Sequence, residues 1–142
     1  MVISEILQRK GSSVITAEPN TTVAELVALL AEHKIGAVPV IDGTRTVGIV
    51  SERDVVRLLN TDGGEVLGST VGELMSVDLL TCTPKDSLDD IARLMTEHRI
   101  RHLPVLSDGE LVGIVTIGDV VAARLRELER TREQLESYIT HG

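Results

Sequence analysis

Displaced by 65 residues, this chain matches itself without a gap: Val14 to Val56 lies over Leu79 to Val121, with 15 identities in 43 positions. The identities gather in three places. Glu32, His33, Ile35, Pro39 and Val40 lie over Glu97, His98, Ile100, Pro104 and Val105; Val47-Gly48-Ile49-Val50 lies over Val112-Gly113-Ile114-Val115; Asp54 lies over Asp119. Two copies of so short a unit are expected to bury their apolar faces against each other, which leaves equivalent clefts near a pseudo-twofold axis. At 142 residues, the size of one ordinary domain, the repeats are expected to form one compact body with a shared core.

Periodicity gives the elements of each repeat. Val23, Leu26, Val27 and Leu30 recur at helical spacing, as do Leu88, Ile91, Ala92 and Met95. Thr22 with Glu25, and Ser87 with Asp90, place a hydroxyl and a carboxylate where they can cap the first turn of those helices. His33 and His98 close them, near the negative end of the helix dipole. Two apolar runs follow in each copy, Ala37 to Ile41 then Val47 to Val50, and His102 to Leu106 then Leu111 to Val115. Asp42-Gly43 and Asp108-Gly109 separate them, so each pair reads as a hairpin. A second helix comes next, Glu52 to Asn60 or Ile117 onward; with short strands at Val14 to Thr16 and Leu79 to Thr81, each repeat reads β-α-β-β-α. The fold class is α+β, two such repeats packed sheet to sheet. Repeat one, with a short N-terminal helix, is placed at 1–60, a glycine-bearing linker at 61–69, repeat two at 70–124 and a helical extension at 125–142. In that extension Val121, Leu125, Leu128, Leu135 and Ile139 form a stripe interrupted by Arg132, which either packs on its own domain or makes a homodimer contact.

The composition narrows the partners. The chain has no Trp or Phe and a single Tyr, Tyr138, so a ring bound between the repeats must lie between aliphatic groups. A net charge of −8 argues against a nucleic-acid surface, which needs clustered Lys and Arg. The longest apolar runs are strand-sized, short of the ~20 residues that span a bilayer, so no membrane association is expected. The lone Cys82 reads as a small core residue, and with no secretory signature at the start the expected location is cytoplasmic.

The repeated unit carrying IGAVPVID…VGIVSERDVV and IRHLPVLSDGELVGIVTIGDVV resembles the CBS (cystathionine-β-synthase) domain, which occurs in tandem pairs. The resemblance runs from about Val2 to Arg124 and is strongest to small stand-alone pairs that carry no catalytic domain. It implies a sensor of adenosine-containing ligands (AMP, ADP, ATP, S-adenosylmethionine or NAD(H)) with two clefts, either or both of which are used.

Ser51-x-x-Asp54 and Thr116-x-x-Asp119 each follow a Gly-Ile-Val strand and open a helix. Such a motif is a capping box; under the resemblance, its carboxylate also accepts ribose hydroxyls while the helix start faces phosphate. The copies differ at Gly36-Ala37 and Arg101-His102. By resemblance these positions line the clefts, the small residues leaving room for a purine and the cationic ones meeting phosphate, since a guanidinium makes two parallel bonds to it; otherwise Arg101 is surface and His102 an ordinary strand residue. Lys10 and Arg53 are further candidates for phosphate, although Lys10 could equally be solvated at a helix end. Ile100 belongs to the same cleft-lining stretch, and the segments Ser12 to Ile15 and Val77 to Leu80 are expected to flank the adenine, with Ile15 and Leu80 against its faces. His98 and His102 stand at metal-like spacing, but no third ligand lies nearby in sequence, so no metal is expected.

No catalytic constellation emerges. The expected function is therefore a non-catalytic, adenine-nucleotide-binding regulatory module, needing no resident cofactor and acting through a homodimer or a regulated protein partner. The alternatives are a structural or interaction module with vestigial clefts, and a nucleotide hydrolase.

Overall fold

The computed structural model describes residues 1–11 and 13–141, with His141 described in its backbone only. In chain order the elements are α1 (Ile3–Lys10), α2 (Val23–His33), β1 (Ala37–Asp42), β2 (Arg45–Ser51), α3 (Glu52–Asp62), α4 (Val71–Leu74), α5 (Leu88–His98), β3 (His102–Ser107), β4 (Glu110–Thr116) and α6 (Ile117–His141). β1 and β2 form one antiparallel hairpin sheet and β3 and β4 the other, with β2 and β4 the strands that meet across the pair. The expected glycine-bearing linker is structured: α3 continues two residues beyond Asn60, and a 3₁₀ stretch over Gly63–Gly68 buries Val66.

Each helix-strand unit forms for the reasons its sequence suggests. Val23, Leu26 and Leu30 bury one face of α2, and Leu88, Ile91 and Met95 the matching face of α5, while Val27 lies outside that face and is exposed. The hydroxyls of Thr22 and Ser87 each accept the amide of the third helical residue at 3.1 Å. Both helices end on a left-handed residue, Lys34 and Arg99, each with φ 54°. The hairpin turns are Gly43-Thr44 and Asp108-Gly109, so in the first copy the turn sits one residue later than expected and Asp42 pairs with Arg45. Gly43 has φ +65° while Asp108 and Gly109 are both positive, the pattern of II′ and I′ turns whose twist matches the strands.

Two expectations fail. Val14 to Thr16 and Leu79 to Thr81 are not strands; the contact with each hairpin is a single parallel bridge, Ala17 to Val40 and Cys82 to Val105. Ala17 donates to the carbonyl of Pro39 and accepts from Ile41, and Cys82 does the same with Pro104 and Leu106. Extending either ladder towards Ile15 or Leu80 needs an amide hydrogen from the proline, which has none.

The core is also not shared. One cluster joins Leu88, Ile91, Met95, Leu103, Val105 and Val115 to Ile3, Ile6 and Leu7 of α1. The other joins Val23, Leu26, Val38, Val40 and Val50 to Val71 ahead of repeat two. The segment preceding each repeat thus closes the core of the other: Ile3 and Leu88 bond to Asp86 and Met1, while Val23 and Val71 bond to Ser69 and Thr21. Glycine makes both dockings possible, since a Cβ on Gly113 would stand 2.6 Å from Leu7 and one on Gly48 2.6 Å from Met75. The two halves are tied by exchanged segments rather than by one apolar interior.

Candidate functional site: two clefts that share a wall

β2 runs directly into α3 and β4 directly into α6, so the strand ends present Ser51-Glu52 and Thr116-Ile117 at helix starts. Each start is pinned to the loop of its own repeat that leads into its first strand: Glu52 N donates to Gly36 O and Ile117 N to Arg101 O, both at 2.9 Å. Both acidic motifs close as reciprocal capping boxes. Ser51 N and Oγ donate to Asp54 Oδ2 at 2.9 and 3.0 Å, and Asp54 N donates back to Ser51 Oγ. Thr116 N donates to Asp119 Oδ2 at 2.9 Å and Asp119 N to Thr116 Oγ1 at 3.1 Å. In each box one carboxylate oxygen, Oδ2, takes the bonds; among the described residues Oδ1 takes none of them. Capping therefore leaves an acceptor available at both positions.

Two cavities lie beside these boxes. The larger, of about 450 Å³, is lined by Lys10, Val14, Ile15, Lys34, Ile35, Gly36, Ala37, Glu52, Arg101, His102, Ile114, Thr116 and Ile117. The smaller, of about 200 Å³, is lined by Gly36, Ala37, Ile49, Ser51, Glu52, Arg53, Asp54, Arg99, Ile100, Arg101 and His102. Only the larger falls in the range of roughly 300–1,000 Å³ usual for small-molecule sites. Its walls are aliphatic and its polar groups mainly cationic, a combination that suits a flat ring joined to an anion. Gly36, Ala37, Glu52, Arg101 and His102 belong to both cavities and form the wall between them. That wall is tight: a Cβ on Gly36 would meet the His102 ring at 3.2 Å and Glu52 Oε1 at 3.4 Å.

The larger cleft has a closed latch. Lys10 Nζ, at the end of α1, donates to Asp119 Oδ2 at 2.6 Å and to Ile114 O at 2.9 Å. Asp119 is reached from the cleft through this ion pair and Thr116. Burial holds the His102 imidazole below its ordinary pKa, nearby Glu52 opposes that, Lys10 and Arg101 reinforce it, and Asp119 opposes it more weakly.

Of the residues singled out from the sequence, Gly36, Ala37, Arg101 and His102 come together as the shared wall, Lys10, Ile15 and Thr116 in the larger cleft, and Ser51, Arg53, Asp54 and Ile100 in the smaller. Asp119 and Leu80 line neither, Asp119 meeting the larger cleft only through Lys10 and Thr116, and Ser12 lies outside the described residues. Lys34, Arg99 and Glu52 were missed. The first two are the left-handed helix-end residues, one in each cleft. A side chain there costs roughly 1–2 kcal/mol that glycine avoids, and a basic residue after the helix-end histidine in both copies was the available signal. Cys82 is buried and its thiol pushed up to about 12 by burial and by Asp86, so it is not a reactive thiolate. Among the described residues no group of three metal-ligating side chains converges, and no helix is long and apolar enough to cross a membrane.

The CBS-domain family profile matches residues 3–61 and 71–126, the two repeats with their preceding helices. The CBS domain-containing protein YhcV of Bacillus subtilis is 34% identical over 123 residues, covering 87% of each chain. Among solved structures, the CBS-domain protein ATU1752 from Agrobacterium tumefaciens aligns with a TM-score of 0.84 at 38% identity over 87% of this chain and 99% of its own. The structure of CBSX2 in complex with AMP aligns at 0.74 and 34% identity, covering 88% of this chain and 96% of that one. Matched across both repeats and along most of the length of YhcV and ATU1752, the chain belongs to the CBS domain family, as a tandem pair.

Proposed function

We propose that the protein is a non-catalytic regulatory module that binds an adenosine-containing nucleotide, chiefly in the larger cleft, and passes the bound state to a second copy of itself or to a regulated protein. One observation carries this reading: a cavity of about 450 Å³ in which aliphatic walls and four groups able to bear positive charge converge, with the capped carboxylate of Asp119 just behind the lining residues Lys10 and Thr116. The adenine lies between Ile15, Ile35 and Ile114, with Gly36 and Ala37 giving it room. Asp119 accepts from the ribose hydroxyls through Oδ1. Lys10, Lys34, Arg101 and His102 meet the phosphates, and for this Lys10 leaves Asp119 for the ligand. The AMP complex of CBSX2, a neighbour of the same fold, supports the ligand class. The smaller cleft, at about 200 Å³, takes ligand only after its walls move.

The output follows from what α6 leaves uncovered. Val121, Leu125, Leu128, Leu135, Tyr138 and Ile139 are all more than half exposed, and apolar surface in that arrangement suits a homodimer contact.

A thermal-shift panel of AMP, ADP, ATP, NADH and S-adenosylmethionine, followed by product analysis, tests the reading. A ligand at a hundred times its dissociation constant stabilises the fold by ~2.7 kcal/mol. A flat panel at millimolar concentration leaves the interaction module with unused clefts, for which the closed Lys10–Asp119 pair already speaks. Turnover of nucleotide instead identifies a hydrolase.

A further inference from the structure

We propose a second anion site, sharing no lining residue with the clefts, in the groove between α1 and α6, selective for a compact free phosphate anion carrying two or more charges. Arg9 on α1 and Arg126 and Arg130 on α6 line one cavity of about 470 Å³ together with Met1, Glu5 and Gln8. The spacing makes the convergence deliberate: Arg126 and Arg130 are one helical turn apart, and Glu5, Gln8 and Arg9 share one face of α1. Like charges at that spacing repel unless a counter-charge sits among them. Within the described residues the ion pairs engage Lys10, Arg124, Arg132 and the amino-terminal group, and none reaches Arg9, Arg126 or Arg130. Glu5 is the one carboxylate in the lining and forms none of those pairs. A chain of net charge −8 thus gathers three guanidiniums without an ion pair around a single carboxylate.

The burial of Arg126 separates this groove from an ordinary solvated face. Arg126 is half-buried beside the exposed Arg9 and Arg130, and its Nε is buried without a hydrogen-bond partner, which leaves its terminal nitrogens as the groups able to meet a ligand. Phosphate oxygens accept two parallel N–H groups from a guanidinium. An anion in the groove bonds α1 to α6. Since α1 ends in Lys10, such an anion fixes the helix that latches the larger cleft.

Calorimetric titration of the full chain with inorganic pyrophosphate at low ionic strength tests this site apart from the nucleotide clefts. Because the cleft cations also meet phosphate, the comparison is made in an Arg101→Gln background, where Arg126→Gln/Arg130→Gln lowers the remaining pyrophosphate affinity at least about tenfold, because several charge-assisted bonds are lost together. Circular dichroism of the double variant controls for folding. The proposal is overturned if the Arg101→Gln chain does not bind pyrophosphate at millimolar concentration, or if adding Arg126→Gln/Arg130→Gln leaves its affinity within about twofold.

Discussion

Lys10 and Asp119, 109 positions apart in sequence, meet at 2.6 Å and close the larger cleft from one side. Their pairing exists because α1 packs on repeat two, the repeat it does not precede. Both side chains are partly exposed, at 30% and 21%, so the pair itself contributes on the order of 0–1 kcal/mol. Its weakness is what a ligand needs, since a phosphate can take Lys10 without a large penalty. Lys10→Met should therefore leave the thermal midpoint almost unchanged, weaken AMP, ADP and ATP progressively with phosphate count, and leave adenosine untouched or slightly tighter. Equal loss for adenosine and ATP in parallel titrations would remove Lys10 from the phosphate site.

Asp119 and Asp54 serve equally as caps, each through Oδ2, so Asp119→Ala and Asp54→Ala should lower stability by similar amounts, on the order of 1 kcal/mol. Their effects on ligand should differ. Loss of ribose bonds to a charged acceptor at about 1.5–3 kcal/mol each makes Asp119→Ala bind at least about tenfold more weakly, while Asp54→Ala, beside the smaller cleft, changes affinity little. The reverse order in titration calorimetry would move the principal site to the Asp54 cleft.

His102 gives the fold a pH dependence of defined sign. Burial, the dominant cause, holds it below its ordinary value near 6.5; Glu52 pulls upward, Lys10 and Arg101 downward and Asp119 upward. Below pH 6.5 the unfolded chain therefore binds more protons than the folded one, and the folded state loses stability as the pH falls towards the folded-state value. His102→Asn should flatten urea-derived stability between pH 7 and 5 relative to wild type. An NMR titration of the imidazole should show a midpoint below 6.5 that rises when nucleotide is bound, because a neighbouring phosphate favours the imidazolium. A midpoint at or above 6.5 in the free protein contradicts the burial.

Much of this was legible beforehand because the two copies check each other. Val23, Leu26 and Leu30 repeat the spacing of Leu88, Ile91 and Met95, so the buried helix faces could be read twice. Arg101 and His102 opposite Gly36 and Ala37 were found by comparing one copy with the other, and all four do form one wall. What was lost depends on the third dimension or on missing atoms. A short apolar run at Val14 to Thr16 reads as a strand, and only the pairing with Pro39 shows that the ladder stops. The exchange of α1 and of the segment around Val71 between repeats leaves no local trace, since an amphipathic helix shows which face it buries and not against what. Lys34 and Arg99 carry no site signal of their own in sequence, because helix-end cations usually only complement the dipole.

The two glycines beneath the exchanged segments should differ in their tolerance. At Gly48 a Cβ would stand 2.9 Å from the carbonyl of Ser76, which is fixed by paired bonds with Ile49. At Gly113 the nearest atoms are the methyl ends of Leu7, which can rotate. Gly48→Ala should cost about 1–3 kcal/mol, the usual range for overpacking, and Gly113→Ala less. Because the latter shifts α1 and with it Lys10, its effect should appear in nucleotide affinity before it appears in stability. Denaturation midpoints in the opposite order would show that the Ser76 backbone yields more easily than Leu7.

α6 continues beyond its last buried residue, Ala123, and carries Leu128, Leu135, Tyr138 and Ile139 at exposures of 66%, 58%, 76% and 78%. These side chains contribute nothing to the core of their own chain, so removing them should not unfold it. Arg132, in place of an apolar residue on the stripe, pairs with Glu136 at 3.6 Å and stays on the surface of its own helix. Within an antiparallel or parallel helix pair, such a charge disfavours registers that bury it and so selects among dimer geometries. Truncation after Arg126 should leave the far-ultraviolet spectrum per residue of the remaining elements intact while converting dimers to monomers in sedimentation. Arg132→Leu should instead strengthen association and broaden it to more than one species. If the truncated chain still sediments as a dimer, the contact lies on the domain bodies, and Val56 on α3 and Val121 on α6, 63% and 52% exposed, become the residues to change next.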